Sequence, residues 1–335
     1  MDDLKYGTRD KRGNWTPNKP AGTAPLFVFP PQPLALLKWL PSYFLPYNAL
    51  FFLSALAWWA WVIPSVEVMQ TLAWGWVLWL FAVNAVAVFL WYSAFELHLY
   101  IRRAQGNRFK YNGKFPADTP SDVFWFKSQN LDNFLRGFLS GVPIWTGLQV
   151  LVLWCYANGI GAWSTFEAHP VWFTALWLLV PIWHEGHFYM IHRPLHWPFF
   201  YKHIHSIHHN SVNPSPWSSL SMHPIEQALF FSSSLLYLIV PAHPLFALYH
   251  LQLSGLGSIV GHIGFDKIAL GDETLMDTHT YNHYLHHKYF EVNYGDGTVP
   301  FDKVFGTYHD GTAASDAALD RRMKRRREKM AARSG

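Results

Sequence analysis

The chain has 335 residues, of which 50% are hydrophobic, 18% aromatic and only 14% charged, and its formal net charge is +4. This composition argues against a pair of ordinary soluble domains, because long uncharged blocks separate the polar segments. The single cysteine, Cys155, excludes a disulfide within the chain and any metal cluster ligated by several cysteines.

The first polar segment, residues 1–42, is rich in proline and shows no signal-peptide pattern, so we expect no cleavage there. Its glycine and proline content predicts a loose arm near a membrane surface. Four long apolar blocks follow, each long enough for a helix to cross about 30 Å of hydrocarbon. A shorter apolar pair predicts a hydrophobic hairpin, although buried core helices also suit that pair. The predicted spans are residues 43–63, 71–94, 137–157 and 171–191, and the hairpin is residues 225–240 and 244–261.

Lysine and arginine predict the orientation of these spans. They are concentrated in the N-terminal arm and in the loop 95–136, and they are absent from the segments 64–70 and 158–170. By the positive-inside rule, both termini and the basic loop are cytoplasmic. The membrane is then the inner membrane of a bacterium or the endoplasmic reticulum of a eukaryote.

The fold expected from these segments is an all-α integral membrane bundle with four long spans, the short hairpin and a cytoplasmic, histidine-rich helical cap. Its regions are a polar arm (1–42), the spans with the basic loop (43–179), a histidine-rich region (180–312) and a basic tail (313–335). The tail sequence RRMKRRREKM (321–330) has two interpretations. It is a solvated helix end attracted to anionic lipid, or a dock for an acidic redox partner. We expect no nucleic-acid partner.

Three histidine clusters concentrate the chemistry of the chain: HRPLH (192–196), HSIHH (205–209) and HYLHH (283–287). On a helix, residues three or four apart share a face, so each cluster presents its imidazoles together. Their eight histidines exceed the four or so ligands of one tetrahedral metal, which predicts two adjacent metals. Ligation by imidazole without thiolate suits iron, copper or zinc. His279, four residues before His283, is a further ligand candidate by spacing alone.

Other catalytic motifs do not fit the sequence. The segment HEGH (184–187) has its second histidine one residue too early for the H-E-x-x-H motif of zinc proteases. We therefore expect supporting or structural roles for His184 and His187. Neither a Gly-rich phosphate loop nor a G-x-S-x-G nucleophile elbow occurs.

The order of the clusters with HPIE (223–226), GHIGFD (261–266), NYG (293–295) and FGT (305–307) resembles the fatty acid hydroxylase/sterol desaturase superfamily. The resemblance covers residues 180–312. It implies a helical membrane protein that binds two iron ions, activates O2 and attacks an unactivated C–H bond of a lipid. It also implies electrons from a separate carrier, of cytochrome or ferredoxin type, with its reductase.

The resemblance carries the ligands over one by one, and no catalytic residue is expected beyond them. The implied ligands are His192 and His196, then His205, His208 and His209, then His283, His286 and His287, with His262 as the additional histidine. Glu185 stands where the family commonly has aspartate, seven residues before His192, the first histidine of the first cluster. We expect Glu185 to accept an N–H from a ligand imidazole. His223 and Glu226 are further candidates to support the ligands. Ser258 stands where a partner of His262 would lie.

Two classes of function stay open. The first is a di-iron oxygenase that either hydroxylates or desaturates a lipid, and no residue decides between these reactions. The second is a metal transporter or metal sensor of the membrane. Transporters place ionisable ligands within their spans, whereas these clusters gather at one membrane edge, which favours the oxygenase.

Overall fold

The computed structural model describes residues 2–19 and 22–334, and helices dominate it, which confirms the mostly helical fold. Two short antiparallel hairpins were not predicted: β1 (Gly7–Arg9) pairs with β2 (Trp15–Pro17), and β3 (Lys267–Leu270) pairs with β4 (Glu273–Asp277). The helices are α1 (Pro33–Phe44), α2 (Tyr47–Trp61), α3 (Val66–Met69), α4 (Trp74–Phe95), α5 (Gln129–Arg136), α6 (Val142–Ala157), α7 (Pro170–Leu195), α8 (Pro198–Phe200), α9 (Ser206–His209), α10 (Pro224–Phe231), α11 (Pro244–Gly255), α12 (Ile259–His262), α13 (Tyr281–Tyr289), α14 (Phe301–Val304) and α15 (Ala313–Ser334).

Two continuous helical segments are long and apolar enough to cross a membrane, Trp74–Ile101 and Gln129–Ala157. The first extends α4, and the second joins α5 to α6. A third candidate is the bent pair of α1 and α2, whose axes differ by 51°. Within the described residues there are thus two candidate spans, or three if the bent pair counts as one.

The fourth predicted span, residues 171–191, lies in α7, a helix of 26 residues. By length and composition α7 is not among the candidate spans. The reason lies in its C-terminal half, where His184, Glu185 and His187 interrupt the apolar block.

Polar side chains tie the two long spans together. Asn84 of α4 is fully buried and donates hydrogen bonds of 2.8 Å to the Thr146 hydroxyl and the Gln149 amide oxygen of α6. Such contacts stabilise helix pairs where apolar side chains alone give little preference for a partner.

The second helix of the predicted hairpin, α11, lies at the centre of the fold. Nearly every side chain of α11 is buried, and the helix packs against α2, α6 and α7. A helix that is apolar on all sides belongs inside a bundle. The alternative of buried core helices therefore describes α11 better than a hairpin that dips into lipid.

Residues 3–17 of the N-terminal arm are ordered, so the prediction of a loose segment is wrong for them. The Trp15 side chain is 1% exposed and packs against the rings of Phe109 and Tyr111. The backbone N–H of Phe109 donates to the Asp3 carboxylate at 3.0 Å. These contacts fix the arm against the loop 102–116 and, through Leu285, against α13.

Candidate metal centre

The three histidine clusters lie at helix ends that converge at one side of the bundle. His192 and His196 lie in the last turn of α7 and at its C-terminal cap. His205 ends a widened helical turn, Tyr201–His205, that leads directly into α9, and such wide turns recur at functional sites. α12 ends at His262, and the remaining three histidines lie on α13.

The structure brings all nine predicted ligands into two buried groups, in each of which the candidate ligand atoms lie within 4.8 Å of one another. No imidazole in either group is more than 6% exposed. Cluster A comprises His192, His196, His205, His209 and His286, and cluster B comprises His208, His262, His283 and His287. His279 belongs to neither cluster, and its side chain is 74% exposed.

The distances between neighbouring Nε2 atoms fit metal coordination. In cluster A, the Nε2 atom of His205 lies 3.0 Å from those of His192 and His209. In cluster B, the Nε2 atom of His262 lies 3.2 Å from that of His208 and 3.3 Å from that of His287. A cation about 2.1 Å from each nitrogen would set neighbouring ligand nitrogens about 3.0 Å apart at right angles and about 3.4 Å apart at the tetrahedral angle.

Hydrogen bonds on the outer side of the rings define the tautomer. At four rings Nδ1 faces a backbone carbonyl, which can only accept, so Nδ1 carries the hydrogen and Nε2 keeps its lone pair. At the fifth ring, that of His205, Nδ1 faces the Glu226 carboxyl group, which selects the same tautomer when it is ionised. Several lone pairs that face one another without protons repel, and a cation between them removes that repulsion. The pairs are His192 with the Tyr294 carbonyl (2.7 Å), His205 with the Glu226 carboxylate (2.6 Å), His208 with the Ser221 carbonyl (3.2 Å), His262 with the Ser258 carbonyl (3.0 Å) and His286 with the Val292 carbonyl (2.6 Å).

Burial also keeps these rings neutral. Removal from water lowers the pKa of His208 to about 4 and that of His262 to about 3. Near neutral pH both imidazoles therefore have a free lone pair to offer to a metal. Geometry, tautomer and protonation together fit a metal ion in each cluster.

The three predicted supporting residues have different positions. The Glu226 carboxylate is 4% exposed and accepts from His205. In the described part of the chain, no hydrogen bond joins Glu185 to a ligand imidazole, which corrects the expectation for it. Its carboxylate instead accepts the backbone N–H groups of residues 297, 298 and 299 at 2.7–3.1 Å. His223 caps α10, where its Nδ1 atom accepts from the Ile225 N–H at 3.2 Å.

Several supporting groups were missed by the sequence analysis. Four of the five hydrogen-bond acceptors described above are backbone carbonyls, which no side-chain pattern reveals. Asp302 was also missed. Its carboxylate accepts from the backbone N–H groups of Tyr294 and Gly295 and so fixes the loop whose carbonyl holds His192. Its position in the sequence, between the NYG and FGT segments, was the signal that could have identified it as a supporting residue.

A cavity of about 670 Å³ reaches the histidines from inside the bundle. Ligands of both clusters line it, including His192, His205 and His283. Beside them stand Phe188, whose ring stacks on His192 with centroids 4.6 Å apart, and Phe230. The cavity thus offers a largely apolar ligand a route to both clusters.

A second cavity, of about 270 Å³, reaches cluster A from another side. His196 and Tyr294 form part of its wall. Arg193 and, from α15, Arg322 and Arg326 also line it. This approach to the centre is small and rich in arginine.

The fatty acid hydroxylase family model matches residues 177–307. The chain is 31% identical over 159 residues to a probable Delta(7)-sterol 5(6)-desaturase of Neurospora crassa, covering 46% of this chain and 42% of the relative. It is 32% identical over 156 residues to a Delta(7)-sterol 5(6)-desaturase of Gibberella zeae (45% and 40%), and 33% identical over 121 residues to one of Saccharomyces cerevisiae (36% and 32%). The matches thus span about two fifths or less of these relatives' lengths. No solved structure matches the chain significantly.

Proposed function

We propose that the chain is a membrane-bound di-iron oxygenase acting on a lipid, because residues 177–307 match the fatty acid hydroxylase family model. It hydroxylates or desaturates an unactivated C–H bond of a sterol-like or fatty acyl substrate, with O2 as co-substrate. The observation that carries the proposal is the pair of adjoining clusters, five and four buried imidazoles, at the wall of a largely apolar cavity.

The nine imidazoles divide the binding of two iron ions between them, with one ion in cluster A and one in cluster B. Iron bound there supplies the capacity to activate O2 and to oxidise a C–H bond. Neutral imidazoles suit this site because they bind a cation without adding carboxylate charge to an apolar region. Glu226 fixes the orientation of the His205 ring and makes its Nε2 atom a stronger ligand for the metal.

The cavity wall holds the substrate against the centre. Phe188 and Phe230 cover the clusters on the cavity side and exclude water from the reacting carbon. Glu185 contributes indirectly, since it fixes the loop 297–299 that closes one side of the same cavity.

Electrons enter on the side of the second cavity. The four-electron reduction of O2 takes two electrons from the C–H bond and two from outside, so a separate cytochrome- or ferredoxin-type carrier with its reductase supplies the latter. The wall near His196 carries three arginines and one carboxylate, Glu291, which pairs with Arg326. The remaining positive charge supports docking of an acidic carrier there. In this proposal the membrane layout has four spans, including α7, and both termini and the centre are cytoplasmic.

Metal analysis and lipid chemistry test the proposal together. Protein purified without chelator should hold about two iron ions per chain. Lipid extracts from cells with and without the gene should differ by a product that is heavier by one oxygen or lighter by two hydrogens. One metal or none would refute the dinuclear centre, and bound metal without a lipid product would favour the transporter or sensor.

A further inference from the structure

A second group of hydrogen-bonded polar side chains lies in the apolar bundle, outside both clusters. We call His184, His250 and Tyr237 the distal polar group. His250 and Tyr237 are 0% and 1% exposed, whereas His184 is partly exposed and lines the large cavity. Ionisable side chains in the interior of a membrane protein mark functional sites more often than structural ones.

The three side chains form a continuous hydrogen-bonded chain. The Tyr237 hydroxyl lies 3.0 Å from Nδ1 of His250, and Nε2 of His250 lies 3.2 Å from Nδ1 of His184. Ser254 adds a hydroxyl 3.2 Å from the same His184 nitrogen. Both nitrogens of His250 and Nδ1 of His184 are therefore engaged. No hydrogen bond among the described residues engages Nε2 of His184, the remaining polar atom of a ring that lines the cavity.

We propose that the distal polar group is a binding subsite for a neutral hydroxyl on the lipid substrate. Nε2 of His184 would exchange a hydrogen bond with that hydroxyl, with His250 and Tyr237 holding the ring in place. A hydroxyl satisfies either tautomer, since it both donates and accepts. A carboxylate or phosphate fits poorly, because no lysine or arginine is among the described residues of the cavity wall, whereas Asp277 and Asp296 are.

The position of the subsite on α7 sets a distance within the substrate. His184 precedes His192 by eight residues, which corresponds to about 12 Å along the helix axis at about 1.5 Å per residue. Phe188 lies between them on the cavity wall and suits an apolar body. The bound hydroxyl and the carbon that is oxidised are therefore separated by about two helical turns of cavity wall, so the oxidised carbon is not the one that bears the hydroxyl. This inference rests on the proposed function only for the oxidation itself.

Equilibrium binding tests the subsite without turnover. The full chain in detergent is mixed with two alcohol–hydrocarbon pairs, octadecan-1-ol with octadecane and cholestan-3-ol with cholestane, and each lipid retained above protein-free micelles is quantified by mass spectrometry. For at least one pair, we expect the alcohol to be retained about fivefold to tenfold more than the hydrocarbon, as one buried hydrogen bond provides. No preference for either alcohol would overturn the proposal.

Variants at two histidines of the same helix locate the preference. His184→Leu should bring the alcohol-to-hydrocarbon ratio to about one, and His184→Gln, which keeps a donor and an acceptor, should retain most of it. His187→Leu is the matched control, since His187 hydrogen-bonds Ser232 and does not line the cavity. An equal loss in the His187 variant would overturn the assignment. Should His184→Leu fail to fold, Tyr237→Phe replaces it, and an unchanged ratio there would count against the subsite.

The position of oxidation supplies a separate readout. Fragmentation of the product should place the new oxygen or double bond away from the carbon that bears the hydroxyl, and oxidation at that carbon would contradict the predicted separation. A chain that binds the alcohol but oxidises no lipid would refute the proposed function and leave the subsite intact. A chain that oxidises a lipid but shows no preference for the alcohol would refute the subsite and leave the proposed function intact.

Discussion

The hydrogen bond between His205 and Glu226 offers a sharp test of how the protein supports its metal ligands. Glu226→Ala removes a carboxylate that accepts from Nδ1 of His205 at 2.6 Å, where the two residues are 4% and 0% exposed. Loss of such a partner typically lowers metal affinity tenfold to a hundredfold, or about 1.4 to 2.7 kcal/mol. Glu226→Gln keeps an acceptor oxygen and should lose about tenfold or less.

The stability of the metal-free protein should change little. Among the described residues, no hydrogen bond reaches the buried Oε2 atom of Glu226, so the carboxylate is costly to bury when no cation is bound. In Glu226→Ala, relief of this cost offsets the loss of the hydrogen-bond acceptor of His205, so the thermal unfolding midpoint of the metal-free protein should stay close to that of the unmodified protein. Weaker metal binding without lower apo stability would distinguish a supporting role from a purely structural one.

Competition with a chelator measures the affinity, and thermal unfolding with and without metal measures the stability. His223→Ala is the matched control, because the His223 side chain caps the same helix and has no hydrogen bond to a ligand ring among the described residues. It should lower stability modestly and leave metal affinity unchanged. The reasoning fails if Glu226→Ala binds metal within about twofold of the wild type, or if His223→Ala weakens binding equally.

Three further predictions concern the ligands, the pH dependence and the tail. His286→Ala in cluster A and His208→Ala in cluster B should each abolish turnover and lower the metal content from about two ions per chain towards one. His309→Ala, at a buried histidine outside both clusters, should keep two ions. Elemental analysis measures the metal content, and two ions in His208→Ala would contradict the ligand assignment. Burial lowers the pKa of Lys110 from 10.5 to about 7. Between these two pH values Lys110 is protonated in the unfolded chain and neutral in the folded chain. The free energy of unfolding should therefore rise there by up to about 1.4 kcal/mol per pH unit. Lys110→Met should flatten that rise in pH-resolved unfolding, and an unchanged slope would exclude Lys110 as its source. Removing residues 321–335 should slow carrier-dependent turnover at low salt and matter less as salt rises; unchanged rates at low salt would show that the tail contacts lipid instead.

The apolar blocks and the histidine pattern made the class of protein predictable. Helical periodicity places residues three or four apart on one face, so the spacing predicted that the imidazoles of each histidine segment project together. This holds for His192 and His196, whereas the other two segments divide between the clusters. Long uncharged blocks indicated a membrane bundle by the same local argument. Both inferences depend on neighbours in sequence, and the helices carrying these patterns form where expected.

Contacts between residues far apart in the sequence could not be predicted from local spacing. The sequence favoured Glu185 as the partner of a ligand, yet the packing of α7 turns its carboxylate to the loop 297–299, and Glu226 of α10 meets His205 instead. Likewise, interruption of the apolar block in α7 left two or three candidate spans among the described residues where four were predicted.

The sequence by itself determined which nine imidazoles are available, whereas the tertiary structure decided how they divide. His208 and His209 are adjacent in the sequence but belong to different clusters. His286 lies in cluster A, whereas His283 and His287 of the same segment lie in cluster B. Successive residues on a helix project about 100° apart, so a box seated between two other helices sends its rings to both sides. Which side each ring meets depends on how α7, α9, α12 and α13 pack together, and no local pattern encodes that packing.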